Sequence, residues 1–373
     1  MLTVLQMLPA LESGGVEKGT LEIAGALVSR GHRSLVMSAG GRLVAPLTAA
    51  GSEHYPWPVG RKSLLTFLMT RRLRRFLREQ QVDIIHVRSR MPGWVAWLAW
   101  RGMDPRTRPR LVTTVHGFNS VNRYSAIMAR GERVIAVSEC IRDYVLKNYP
   151  MTDPARITVI HRGVDRSAYP YGYTPPEPWL AQWKQQYPQL RDRYVITLPG
   201  RLTRLKGHMD FLDTLYQLRQ RDIPVHGLIV GEPPARRQAY VQEIRQRIDE
   251  MQLKDHVTLT GHRSDLREVM CVSDLVLSLS KTPESFGRTT LEALSLGRPV
   301  IGYDHGGVGE QLGALYPMGR IPLGDTRTLA DRIAQWAKEG APAIPQEHGF
   351  TLDSMVDQTL SLYASLHNQQ STE

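Results

Sequence analysis

Glu284 and Glu292 close the segment Glu284-Ser-Phe-Gly-Arg-Thr-Thr-Leu-Glu292, two carboxylates separated by seven residues. On a continuous helix that separation means a rise of roughly 12 Å and a turn of about 80° beyond two full turns. Pro283 and Gly287 predict instead that Glu284 lies in a loop and only Glu292 in the helix that follows. Neither arrangement gives the carboxyl pair, roughly 5 to 5.5 Å apart, of a retaining hydrolase. The chemistry that remains is recognition, because carboxylates accept hydrogen bonds from hydroxyls such as those of a ribose or a hexose. Two solvated acids near a helix N-terminus, where negative charge is favoured anyway, fit the same spacing.

A second group of residues could complement those acids. In Pro199-Gly-Arg-Leu-Thr-Arg-Leu-Lys-Gly-His208, Gly200 allows a sharp turn after a strand, and Arg201 and Lys206 add two cations. A diphosphate satisfies both, Arg bidentately and Lys as a point charge, although a basic loop facing water has the same composition. Arg204 is expected to point away. Nearer the N-terminus, Gly14 and Gly15 precede a helix, where backbone amides can approach a phosphate or a sugar. The GxGxxG dinucleotide fingerprint is absent, so NAD is not indicated. Leu111-Val-Thr-Thr-Val115 delivers His116 and Gly117 to a strand end, where an imidazole can donate or accept a hydrogen bond near pH 7. His86 stands at another strand end.

Short apolar runs alternating with helical patterns must position these residues, and that alternation predicts parallel sheets with crossover helices. The strands expected in the first half are 3–8, 33–38, 84–87, 110–115, 134–137 and 158–161. In the second half they are 194–198, 226–230, 257–260, 274–279 and 299–303. Tyr169-Pro-Tyr-Gly-Tyr-Thr-Pro-Pro-Glu-Pro178, with four prolines, marks the boundary. The expected organisation is a first domain over 1–170, a linker over 171–188 and a second domain over 189–349. Leu352, Met355, Val356, Leu360, Tyr363 and Leu366 then recur at helical spacing, so a terminal amphipathic helix is expected over 350–367. Two similar α/β halves suggest a ligand cleft between them.

The 373 residues suit two domains, and 42% hydrophobic with 22% charged content is ordinary for a globular protein. The net charge of +11 is uneven: residues 1–170 hold 25 Lys and Arg against 12 Asp and Glu, and the remainder 22 against 24. An acidic partner would meet the first half. Seven basic residues and no acid lie in Arg61 to Arg78 among Leu64, Leu65, Phe67, Leu68, Leu73, Phe76 and Leu77. Such a helix could lie on anionic lipid or pack its apolar side into the core. Trp94, Trp97 and Trp100 read as core packing. No aromatic-basic motif for nucleic acid appears, so nucleic acid is not an expected partner. Two cysteines without CxxC spacing, no signal-peptide pattern and no run of roughly 18 or more apolar residues predict a cytoplasmic protein, at most peripheral to a membrane.

In order and spacing, Gly14-Gly15, His116-Gly117, Arg162-Gly-Val-Asp165, Gly200-Arg201, Lys206-Gly207, Glu284 with Phe286-Gly287, Glu292 and Gly306-Gly307 resemble the family-4 retaining glycosyltransferases of the GT-B fold, including lipopolysaccharide-core members. The resemblance implies two Rossmann-like domains facing a central cleft, with a C-terminal helix that crosses back to the first. It implies that Arg201 and Lys206 hold the donor diphosphate and stabilise the leaving nucleotide. Glu292 would take the ribose hydroxyls and Glu284 a hydroxyl of the transferred sugar, with Phe286 and Gly287 offering backbone amides. Gly15 would approach the phosphates, and His116 would sit beside the sugar. The implied partners are a nucleotide sugar and a glycan or glycolipid acceptor, with no metal. A GT-B epimerase or hydrolase, or a noncatalytic nucleotide-sugar-binding protein, would share these motifs. The chain departs from the family at Arg162, where Asn is frequent, and at Arg288, where an apolar residue is common.

Overall fold

The computed structural model describes residues 1–12, 14–61, 63–233 and 238–370. Lys62 and the side chains of Leu64, Leu65 and Phe67, counted in the basic segment, lie outside the described residues. The chain forms two compact units, one of residues 1–163 with 352–373 and one of residues 164–351.

The first unit is built on a seven-stranded parallel sheet. Its strands are β1 (Thr3–Met7), β2 (Arg33–Ser38), β3 (Glu53–Pro56), β4 (Ile84–Val87), β5 (Arg110–Val115), β6 (Arg133–Ala136) and β7 (Ile157–Val159), in the order β3-β2-β1-β4-β5-β6-β7. The central strands are buried along their whole length, as parallel strands covered by helices on both faces must be. The second unit repeats the scheme with β8 (Tyr194–Pro199), β9 (Val225–Val230), β10 (Val257–Gly261), β11 (Leu275–Ser278), β12 (Val300–Tyr303) and β13 (Arg320–Ile321), in the order β10-β9-β8-β11-β12-β13. The strand order reverses between β1 and β4 in one sheet and between β8 and β11 in the other. In open α/β sheets the carboxyl side of such a switch is where ligands bind.

Two strands escaped the sequence reading, β3 and β13, and each is the outermost strand of its sheet. Glu-His-Tyr-Pro and Arg-Ile are short and polar because an edge strand need not be apolar on both faces. The expected linker over 171–188 is corrected. Glu177–Gln186 is a helix of the second unit, with a proline in its first turn where the missing N–H costs nothing. Its Trp183, followed by Tyr187, packs on Val195, Leu228 and Val230. The unit boundary falls earlier, between Gly163 and Val164.

The terminal helix runs Leu352–Gln370 and belongs to the first unit. Its Met355, Val356, Leu360, Tyr363 and Leu366 are buried against Leu2, Val4, Ile23, Ile84, Val112 and Ile160, so the chain returns to its first sheet. The helix Leu64–Glu79 buries Leu73, Phe76 and Leu77 and exposes Arg71, Arg72, Arg75 and Arg78. Trp94 and Trp100 are anchored by indole hydrogen bonds to the Tyr124 and Pro109 carbonyls. No helix among the described residues is long and apolar enough to cross a membrane.

Candidate active site

The carboxyl ends of β8 and β11 build the site of the second unit. After β8 the chain makes a short turn, Arg204–Lys206, and enters the helix His208–Arg219 through Gly207. Gly207 has φ of 74°, and a Cβ there would lie 2.1 Å from the Leu279 carbonyl oxygen. Only glycine allows the turn to lie this close to the end of β11. The result is that Lys206 Nζ donates to Glu284 Oε1 at 2.6 Å, and Ser280 Oγ donates to the same carboxylate oxygen.

The loop carrying Glu284 is held from the other side by the helix Gly306–Leu315. Gly307 N donates to the Glu284 carbonyl at 2.7 Å, and a Cβ on Gly307 would stand 2.4 Å from Phe286 Cα. Burial pushes the Glu284 carboxyl up, but the Lys206 charge and the two hydrogen bonds outweigh it and hold the group below its ordinary range. Glu284 is therefore an anion at neutral pH, able to accept from one more hydroxyl.

Arg201, Thr203, Lys206, Ser280, Thr282 and Glu284 line a pocket of about 490 Å³, the size of a small-ligand site. A narrower recess continues past Lys206 and Glu284 to Gly287, Thr289 and Thr290 at the start of the helix Arg288–Ser295. Helix N-termini favour anions through their amides and dipole. Arg201, Lys206, Glu284 and Gly287, expected from the sequence, are thus brought together. Phe286 lines neither cavity: its ring is 4% exposed among Val164 and Leu291, and its carbonyl accepts from Gln311 Nε2. Glu292 is half-buried on the second turn of the helix and lines neither cavity. Burial first, and then the Glu292 charge, push the Tyr169 hydroxyl up to about 12. Arg204 turns to Glu243 and Tyr240, as expected.

Sequence reasoning missed the hydroxyls of Ser280, Thr289 and Thr290, which adjoin Glu284 and Gly287 and could have been found by their place at strand end and helix start. It also missed Asp210, which joins Lys281 Nζ at 2.6 Å and the Tyr303 hydroxyl in a network beside the site. No group of three or more His, Cys, Asp or Glu able to hold a metal ion occurs among the described residues.

The corresponding edge of the first unit has a different chemistry. Gly14, with φ of 149°, leads into the helix Gly15–Ser29, whose first residue is exposed. Arg88 follows β4, His116 follows β5 and Arg162 lies just beyond β7. Arg88 is 4% exposed; its Nε donates to Gln6 Oε1 at 2.8 Å, while Nη2 meets no partner among the described residues. His116 Nδ1 lies 2.6 Å from Arg162 Nη2, and its buried Nε2 meets no partner among the described residues. Burial, then the charges of Arg162 and Arg88 and the neighbouring His86, hold the His116 imidazole well below its ordinary range. His86 is fully engaged, Nε2 with Thr114 Oγ1 at 2.5 Å and Nδ1 with the Tyr363 hydroxyl, which makes it structural.

Two doubly wound units with cationic groups at the carboxyl edges of their sheets define the GT-B class of glycosyltransferases. The chain belongs to these glycosyltransferases: residues 13–168 match the family model Glycosyltransferase Family 4, and residues 181–347 match Glycosyl transferases group 1. A D-inositol 3-phosphate glycosyltransferase of Jonesia denitrificans is 28% identical over 310 residues, 72% of this chain and 70% of that protein. A glycosyltransferase structure from Rickettsia africae superposes with a TM-score of 0.84 at 28% identity, covering 98% of both chains. The Anabaena Alr3699/HepE structure in complex with UDP-glucose gives 0.76 at 22% identity over 98% of this chain and 100% of that one, a likeness of fold.

Proposed function

We propose that this glycosyltransferase moves a hexose or related sugar from a nucleotide-sugar donor to an acceptor hydroxyl with retention at the anomeric carbon, and without a metal. The observation that carries the reading is the Lys206–Glu284 pair beside Arg201 in one pocket of the second unit. Lys206 and Arg201 bind the diphosphate, Glu284 accepts from a sugar hydroxyl, Gly287 offers its amide and Glu292 takes the ribose. On the first unit Gly15 serves the phosphates and His116 the sugar. The bond from the anomeric carbon to the phosphate oxygen breaks, and its electron pair stays on the phosphate, whose charge the two cations stabilise. The acceptor oxygen bonds to the same face of that carbon, and its proton passes to the departing phosphate.

The acceptor we assign is a glycolipid at an anionic membrane surface, of the kind found in a lipopolysaccharide core. In support, Leu68 is 73% and Met151 96% exposed on a unit rich in arginine. Trp97, Trp100, Arg130 and Arg156 line a groove of about 550 Å³ near the amino edge of the sheet. Arginine with interfacial tryptophan is the composition that binds anionic headgroups. Flotation with anionic but not neutral vesicles is expected, and equal flotation with both would remove this part. A soluble phosphorylated acceptor is the second reading, in keeping with the relative named for D-inositol 3-phosphate and with the buried arginines of the first unit.

The test is a panel of UDP, GDP and ADP sugars with the folded full chain, in EDTA, following nucleotide release with and without acceptor. Release that depends on acceptor is expected. Release without acceptor dependence would indicate a hydrolase, and binding without release a noncatalytic protein. Failure to bind any member would sink the whole reading.

A further inference from the structure

Arg162 occupies the position where the resembling family frequently has Asn, and its contact with His116 has a chemical consequence. A guanidinium has five N–H donors and no acceptor, and does not give up its charge in proteins. An Arg162 Nη2 that lies 2.6 Å from His116 Nδ1 therefore donates, and Nδ1 must carry a lone pair. In the neutral imidazole the proton is then on Nε2. That atom is buried and has no hydrogen-bond partner among the described residues.

We infer that Arg162 is a positioning residue that locks His116 as the Nε2–H tautomer, so that His116 donates a hydrogen bond to an oxygen of the bound sugar and does not serve as a proton acceptor. The donation to substrate rests on the functional reading above; the tautomer does not. The surroundings agree from each element packed against the ring. Arg88 beyond β4 and Arg162 beyond β7 are cations, and His86 on β4 adds a third basic group; all three oppose a proton on His116. Tyr363 of the terminal helix is spent on His86, and Glu22 of the first helix acts on Arg88. The position of Arg162 is itself fixed: a Cβ on Gly19 would stand 2.3 Å from its Nη1, so the guanidinium lies flush on the helix Gly15–Ser29. Arg162 Nη1 also contacts Met355 Sδ at 3.8 Å.

Long-range nitrogen–proton correlation spectra of the ligand-free full chain, with His116→Gln to assign the signals, read the tautomer directly. A proton on Nε2 and a hydrogen-bonded lone pair on Nδ1 are expected at pH 7. Arg162→Met should displace the Nδ1 resonance and admit the second tautomer, and Arg162→Lys, which still donates, should restore it. A proton on Nδ1 in the unaltered protein, or ring nitrogen shifts unchanged in a folded Arg162→Met, would overturn the inference. With a nucleotide sugar that the panel shows to turn over, His116→Gln, which can still donate, is expected to stay within about tenfold of the unaltered rate, and His116→Leu to fall further. Equal losses in the two variants would overturn the donor role. A panel without turnover would remove the functional reading and leave the tautomer result standing.

Discussion

The carboxyl edges of the two sheets share a fold and differ in how they hold charge. In the second unit both lysines at the site meet an anion: Lys206 faces Glu284, and Lys281 faces Asp210. In the first unit the strand ends supply Arg88, Arg162 and a neutral His116, and Arg88 and His116 each keep a polar atom without a partner among the described residues. A paired edge can exchange partners, since an incoming diphosphate can take Lys206 from Glu284 and leave that carboxylate to a sugar hydroxyl. An edge of buried hydrogen-bond donors cannot exchange; it waits for an acceptor. The difference teaches that one scaffold provides a site that rearranges charge and a site that presents fixed hydrogen bonds.

The largest effect should come from breaking the exchange. Lys206→Met removes the cation that would stabilise the leaving phosphate, and the loss of one such group costs about 10²- to 10³-fold in turnover. Burial of Glu284 would then be opposed by fewer partners, and its carboxyl should rise. Calorimetric nucleotide binding together with the release assay checks this, and a loss below about threefold would contradict the role of Lys206.

Two glycines sharpen the contrast in stability. Alanine at Gly207 meets a positive φ and a carbonyl oxygen 2.1 Å from its Cβ, whereas a Cβ at Gly117 meets nothing within 4 Å. Gly207→Ala should cost about 2 kcal/mol or more, several degrees of Tm for a unit of this size. Gly117→Ala should stay within about 0.5 kcal/mol. Comparable Tm values for the two variants would show that the turn is not as tightly seated as the contact demands.

The same contrast explains what could be read from the sequence. Strand existence, the strand-end placement of Arg201, His116 and Glu284, and the existence of the terminal helix follow from apolar periodicity, which reports burial, whereas the return of that helix to the first unit was implied by the family resemblance. The edge strands β3 and β13 lack that signal because one side of each is unpaired. The prolines around Glu177 suggested a break, yet proline suits a helix's first turn, and only the packing of Trp183 shows which use prevails. The Lys206–Glu284 contact spans 78 positions and depends on glycines closing two turns, which residue types alone do not reveal. Arg88 went unnoticed although it obeys the strand-end logic applied to His116, because a lone arginine beside a strand is ordinarily solvated.

The acids Glu284 and Glu292 give a smaller and more diagnostic effect. Glu292→Gln removes a charged acceptor and should weaken bare-nucleotide binding about tenfold, within the range for a hydrogen bond to an ionised group. Glu284→Gln releases Lys206 from its partner, so bare-nucleotide affinity should hold or improve while turnover of the sugar falls. Equal losses of bare-nucleotide affinity in the two variants would dissolve the division of labour between the acids.

The smallest effect is in pH. Burial lowers His208 and His226 of the second unit to about 4, and lowers His86 and His116 of the first well below the ordinary range. An unfolded histidine titrates near 6.5, so between about 4 and 6.5 the unfolded chain binds more protons than the folded one. The stability that His208 and His226 contribute is complete well above pH 6.5 and declines as pH falls towards 4, and that of His86 and His116 likewise begins to decline as pH falls through 6.5. Between pH 7.5 and 6 the decline is under about 1 kcal/mol for each residue. Glu284 responds in a lower window: its folded pKa lies below its unfolded value, so its contribution persists until the pH falls under the ordinary carboxylate range. Calorimetric Tm should therefore drop between pH 6.5 and 5 in both units before the Lys206–Glu284 pair is touched. A Tm flat across that window would mean that the imidazoles are protonated in the fold, which would also undo the reading of the first unit's edge as an array of fixed donors around a neutral His116.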